Sequence, residues 1–198
     1  MLVDVLGVRC VGCRAFGPAL CRTCSSGLEA APPGKAVIGA DATIAAFAYR
    51  GLARALVLDL KLKRQRPMAL PLAEGMAQAI WRHGCTADVI TWVPARLGDR
   101  IDRGFDHAKV LAKGVSRRLG LSTRALLARG ASRPDQSQLS RAARFGNLKG
   151  AFLGLPAEGL RVLLVDDLIT TGATAGACAA VLKDQGAASV EVIAACRA

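Results

Sequence analysis

Segments of strand character alternate with amphipathic helical segments through residues 42–195, which predicts an α/β domain with a mainly parallel sheet flanked by helices. Two observations fix that class. Residues 162–195 contain a complete strand–helix–strand unit, and four cysteines fall within the first 24 residues, setting a small N-terminal ribbon ahead of the domain.

The ribbon comes first. Cys10-x2-Cys13-x7-Cys21-x2-Cys24 is two knuckles, spaced to bring four thiolates around one tetrahedral Zn²⁺. A pair of disulfides or a redox Cys-x-x-Cys would use the same residues. A reducing cytoplasm disfavours the first, and neither pair follows a strand as a thioredoxin-type motif does. Four thiolates leave no open coordination position, so the role expected of the metal is structural. Residues 1–30 hold little core material and are expected to fold only with the ion. Ala31-Pro-Pro-Gly-Lys35 reads as a linker, which divides the chain into a ribbon and linker at 1–35 and a larger domain at 36–198. Cys85, Cys178 and Cys196 are scattered and read as buried packing thiols.

In the larger domain, 42–49 is expected as a strand. Residues 52–63 are expected as a helix with Ala53, Leu56, Val57 and Leu60 on one face. The basic end of that helix (Lys61, Lys63, Arg64, Arg66) is either a solvated last turn complementing the dipole or a binding element. Residues 70–83 form a second helix, with Leu72, Ala73, Met76, Ala77, Ile80 and Trp81 inward and Gly84 after it. A strand over 87–93 ends at Pro94, a third helix spans 105–119, and a short strand lies near 123–127. The stretch 130–150 is long, polar and aperiodic, the signature of a functional or disordered connection.

The last unit carries the chemistry. Val162-Leu-Leu-Val165 reads as a strand buried on both faces that stops at Asp166-Asp167. Thr170-Thr-Gly-Ala-Thr174 then wraps the start of a helix over 175–185, with Ala175, Cys178, Ala179 and Leu182 inward. Ligands of open α/β sheets bind at the carboxyl ends of strands. The free N–H groups and positive dipole end of a helix favour a phosphate, Gly172 permits close approach, and ionised Asp166 and Asp167 accept from a sugar diol. The motif points to a phosphorylated ribose.

Composition agrees. Net charge is +12, which favours anionic partners: a ribose phosphate, a nucleotide or a nucleic acid. Aromatic residues make up only 4%, which argues against broad stacking platforms for single-stranded bases but leaves contact with phosphate backbones open. No apolar run approaches the ~18 residues of a membrane span, and the first ten residues lack the layout of a secretory signal, so a cytoplasmic protein without membrane insertion is expected.

The string 162–174 resembles the phosphoribosyl-pyrophosphate (PRPP) motif of type I phosphoribosyltransferases. Thr170 stands where the 6-oxopurine enzymes carry an Asp, which disfavours that substrate class. Four other segments extend the resemblance to the ComF family of competence proteins: the cysteines; Tyr49-Arg-Gly-Leu-Ala-Arg54 with Lys61; Val93-Pro94 with Arg100 and Arg103-Gly-Phe105; and Gln136 through Phe152. The resemblance implies a type I phosphoribosyltransferase-like domain behind a zinc ribbon. It also implies PRPP bound with Mg²⁺ at Asp166, Asp167, Thr170, Thr171, Gly172, Ala173 and Thr174. Arg96, Arg100 and Arg103 are the expected pyrophosphate ligands, Arg103 with Asp166 and Asp167 in the catalytic set, and Gln136, Arg141, Arg144 and Asn147 belong to a flexible loop that covers PRPP. A role in DNA uptake follows, with single-stranded DNA and DNA-uptake or recombination proteins as partners. The alternatives are a PRPP- or nucleotide-sensing nucleic-acid-binding protein without catalysis, a transcriptional regulator on the same fold, and a nucleobase salvage transferase. The family commonly reads Asn-Gln where this chain has Asp106-His107. Asp106 is expected to cap a helix there, and His107 is weighed as a general base against a structural residue.

Overall fold

The computed structural model describes residues 8–95, 104–130 and 150–198. Among them, five strands form one parallel sheet: β1 (Ala42–Ala48), β2 (Val89–Trp92), β3 (Ser122–Thr123), β6 (Arg161–Ile169) and β7 (Ser189–Arg197), in the order β1-β7-β6-β2-β3. The mainly parallel α/β class expected from the sequence is the one observed.

The order records how the chain winds. From β2 it passes through α4 (His107–Leu119) to β3 at one edge, and from β6 through α5 (Ala173–Asp184) it steps the other way to β7. Right-handed crossovers taken in opposite directions place their helices on opposite faces. Accordingly α4 packs with α2 (Gly51–Leu62) and α3 (Ala69–His83) in one core, around Leu56, Leu60, Met76, Leu111 and Leu163. α5 packs in the other, around Leu164, Cys178, Leu182 and Val192. The direction of winding reverses between β2 and β6, the switch point at which such sheets open a crevice.

Register at that point is set from the far end. Asp88 takes the backbone N–H of Arg161 at 2.9 Å and its guanidinium at 2.6 Å, which holds the carboxyl down at about 2 and clamps the amino ends of β2 and β6 together. Four residues later β2 ends, its Trp92 paired with Val165, whereas β6 continues to Ile169 beside β7. The strand expected to stop at Val165 therefore runs through both aspartates. Pairing with β7 carries it on, and only the β2 side falls open.

Two further expectations are corrected. The short strand near 123–127 is two pieces. The Leu126 N–H is shared between the Arg124 carbonyl at 3.1 Å and the Thr91 hydroxyl at 3.3 Å, and the chain leaves β3 to form an antiparallel ribbon of β4 (Leu127–Arg129) with β5 (Phe152–Gly154). Trp81 is 63% exposed because it shares a helical stripe with Glu74 and Gln78, one position round from buried Ile80. Gly84 ends α3 in the left-handed conformation at φ 67°, as the sequence signals. Cys178 and Cys196 are fully buried and Cys85 partly so, as packing thiols.

α3 and α4 cross at small residues. A Cβ on Gly114 would lie 2.6 Å from the Cβ of buried Ala73, and neither group can swing aside. Gly114→Ala gains up to about 1 kcal/mol of helix propensity but separates the helices at a cost of about 1–3 kcal/mol. The expected outcome is a lower midpoint in thermal or urea unfolding; an unchanged or higher midpoint would show that the crossing has slack.

Candidate functional site

The ribbon geometry is that of a metal centre. All four Sγ atoms of Cys10, Cys13, Cys21 and Cys24 lie within 4.8 Å of one another, and none is in a disulfide. A tetrahedral ion with bonds of about 2.3 Å sets its sulfurs about 3.8 Å apart, and Cys13 and Cys21 stand at 3.8 Å. Burial raises the Cys10 thiol, but backbone N–H groups of Cys21, Cys13 and Gly12 outweigh it and bring the thiol down to about 6, which favours a thiolate. The Cys21 N–H lies 3.4 Å from the Cys10 sulfur. Gly12 is required within the first knuckle, since a Cβ there would meet the Cys24 sulfur at 2.8 Å. Leu52, in the first turn of α2, fills the space beside Gly12 and Gly27, and Val11 and Ala19 join the core shared with α2, α3 and α4.

The second site opens where β6 outruns β2. A cavity of about 260 Å³ is lined by Lys61 and by the run from Asp166 to Ala175. Asp166, Asp167, Thr170, Thr171, Gly172, Ala173 and Thr174 all line this one cavity. Gly172 caps α5 at φ 75° with no side-chain bond, and its position is tight, because a Cβ would stand 3.0 Å from Val37. The first intrahelical bond runs from the Gly176 N–H to the Gly172 carbonyl at 2.8 Å, so the N–H groups of Ala173, Thr174 and Ala175 precede it at the helix start. The Thr171 hydroxyl sits 3.4 Å from the first of these. This is a ready anion site.

The carboxylates have opposite settings. Asp166 and Asp167 are 8% and 4% exposed. Burial, together with the charge of Asp167, pushes Asp166 well above the usual carboxylate range, although its oxygen accepts the Asp167 N–H at 2.8 Å. Burial would raise Asp167 too, but His107 and Lys61 outweigh it and hold its carboxyl well below that range. Lys61 ion-pairs with Oδ2 of Asp167, and His107 Nε2 stands 3.5 Å from the same oxygen. Two basic groups thus converge on one buried oxygen. Two buried carboxylates side by side are also the donor type that suits a hard cation with oxygen ligands.

Lys61 and His107 are the residues that sequence reading left undecided. Lys61 belongs to the basic end of α2, where a solvated turn was as good a reading; its side chain is 23% exposed and it lines the crevice. His107 begins α4, with its side chain 11% exposed. Asp106 does cap α4, accepting the Lys109 N–H at 3.2 Å. Its other oxygen accepts the Ala95 N–H at 3.2 Å, which ties the turn after β2 to the start of α4. Arg96, Arg100 and Arg103, and Gln136, Arg141, Arg144 and Asn147, lie outside the described residues. The described ends of those two segments meet, since Arg129 at the base of the β4–β5 ribbon donates to the Pro94 carbonyl at 3.1 Å.

No protein-family model matches the chain. The DNA utilization protein YhgH of Salmonella typhi is 34% identical over 149 residues, covering 72% of this chain and 66% of that protein. The protein of the same name from Escherichia coli (strain K12) is 32% identical over the same length and shares. The chain thus matches these curated relatives over 66% of their length. Among solved structures, a glutamine PRPP amidotransferase from B. subtilis is 26% identical, with a TM-score of 0.45 over 63% of this chain and 25% of its own. An adenine phosphoribosyltransferase from Thermoanaerobacter pseudethanolicus is 18% identical, with a TM-score of 0.43 over 69% of this chain and 84% of its own.

Asp106→Ala removes the cap of α4 and its tie to Ala95 together. Loss of the cap alone costs about 0.5–2 kcal/mol, and the expected result in urea unfolding is a loss toward the upper end of that range. Asp106→Asn keeps an acceptor for the cap and should lose less; equal losses for the two variants would remove the cap from the explanation.

Proposed function

This chain belongs to the ComF family, a four-cysteine ribbon joined to a phosphoribosyltransferase-type domain, and on that premise we propose that its crevice binds PRPP with Mg²⁺ in the service of DNA uptake. One observation carries the reading: a buried carboxylate pair and a helix start capped by a glycine line the same cavity at the switch point of the sheet. The 5′-phosphate accepts from the N–H groups at the start of α5 and from Thr170, Thr171 and Thr174, aided by the helix dipole. The ribose diol donates to Asp166 and Asp167.

Asp166 and Asp167 are the residues that would hold Mg²⁺, directly or through water, and the ion would draw charge from the pyrophosphate oxygens. If transfer occurs, the bond from ribose C1 to the pyrophosphate oxygen breaks and a bond from the acceptor to C1 forms. The chain's part is then to position the ribose and stabilise charge. Arg96, Arg100 and Arg103 are assigned to the pyrophosphate, and Gln136, Arg141, Arg144 and Asn147 to the cover over it. In the ribbon, Zn²⁺ is the ion that four thiolates at this spacing select. The link to DNA draws on the relatives' being DNA utilization proteins by name and on a net charge of +12, which suits phosphate backbones of single-stranded DNA.

Calorimetric titration of the zinc-loaded protein with PRPP and Mg²⁺ tests the central reading. Asp166→Asn combined with Asp167→Asn should weaken binding at least about tenfold, or about 1.4 kcal/mol, with the circular dichroism spectrum unchanged. Undiminished affinity would refute the diol assignment. Pyrophosphate release with PRPP and a panel of bases separates a transferase from a protein that only senses PRPP. Metal analysis should give about one zinc per chain, and Cys21→Ser should lower both the zinc content and the melting temperature; a zinc-free chain with an undiminished melting temperature would exclude a structural ion.

A further inference from the structure

The ion pair between Lys61 and Asp167 does something that neither the phosphate cradle nor the carboxylate pair does alone. Two adjacent carboxylates, 8% and 4% exposed, repel each other, and Lys61 supplies the nearest countercharge. Among the described residues lining the cavity it is the one cation. It arrives from α2, on the face opposite α5, so its four-carbon stem enters across the cavity from the helix start that forms the phosphate cradle. The ammonium sits on the oxygen that a metal would use.

We propose that Lys61 is a resident cation of the crevice that excludes a divalent metal from Asp167 until a sugar phosphate draws it away. This rests on the reading of the crevice as a ribose-phosphate site. With Lys61 in place, a metal arriving alone must displace an ammonium already paired with Asp167, and it binds weakly. With a phosphate seated at the start of α5, the ammonium moves to the phosphate oxygens, Asp167 is released to the metal or the diol, and the two ligands bind cooperatively. Linkage requires the coupling to be reciprocal, with typical factors of about 5–150. Lys61 acts on the metal through Asp167 and is a positioning residue.

The probe is Mn²⁺ alone, titrated into zinc-loaded protein and followed by electron paramagnetic resonance. Lys61→Met keeps the length of the stem and removes the charge, and it should bind Mn²⁺ at least about tenfold more tightly than the parent, a shift of about 1.4 kcal/mol. Lys61→Arg should behave as the parent, and Lys61→Met combined with Asp167→Asn should return to weak binding. Equal Mn²⁺ affinity in parent and Lys61→Met overturns the proposal. A second measurement needs no variant: ribose 5-phosphate should raise the Mn²⁺ affinity of the parent at least about fivefold, and bound ribose 5-phosphate with unchanged Mn²⁺ affinity also overturns it. Failure of the parent to bind either PRPP or ribose 5-phosphate would instead overturn the crevice assignment itself, so the two failures are distinct.

Discussion

Two neighbouring carboxylates are buried in this parallel sheet at the point where the strand on one side of them has ended and the strand on the other continues. The bidentate pair of Asp88 with Arg161 fixes the register of β2 against β6 at their amino ends, and the lengths of the two strands do the rest. Among the described residues no strand pairs with β6 on that flank beyond Val165, where the Val93 N–H makes the last bond, while the other flank remains bonded to β7. The crevice, the exposure of the loop Thr170–Gly172 and the reach of Lys61 and His107 toward Asp167 all descend from that mismatch. A longer β2 would close the crevice and leave Asp166 and Asp167 without a solution to their desolvation.

Most of the architecture was legible because apolar spacing reports burial directly. Leu56, Val57 and Leu60 on α2, and Ala175, Cys178, Ala179 and Leu182 on α5, lie inward where a helical period of 3.6 places them. The cysteine ribbon was legible from spacing alone, because thiolate geometry about a metal leaves few arrangements. Less legible was the extent of β6. An aspartate pair reads as the end of a strand, and only its pairing with β7 shows that the backbone ladder continues past the charges. At the division of the stretch near 123–127 into β3 and β4, the Leu126 N–H meets the Arg124 carbonyl and the Thr91 hydroxyl, and no local pattern reveals the second.

The candidate site divides along the same line. Its contiguous part, Asp166 to Thr174, was readable because one strand, one turn and one helix start supply every group. Its remote part was not. Lys61 lies more than a hundred residues before Asp167, and a basic helix end looks the same whether it faces water or a buried carboxylate. The crossing of α3 with α4 at Ala73 and Gly114 belongs to this class too, since the sequence shows two small residues and not that they touch.

Leu52 sits under the ribbon in the first turn of α2, and Lys61 leaves the last turn of the same helix, roughly 14 Å away at about 1.5 Å per residue. For anyone dissecting the chain, that helix is the part that cannot be shared out. Cutting after the linker would strip the cover from Leu52 and remove Val11 and Ala19 from a core that α3 and α4 also use. A truncated crevice domain would therefore be a different object from the crevice in the whole chain. Measurements of ligand affinity made on the fragment would report the loss of that seat as much as the chemistry of the aspartates.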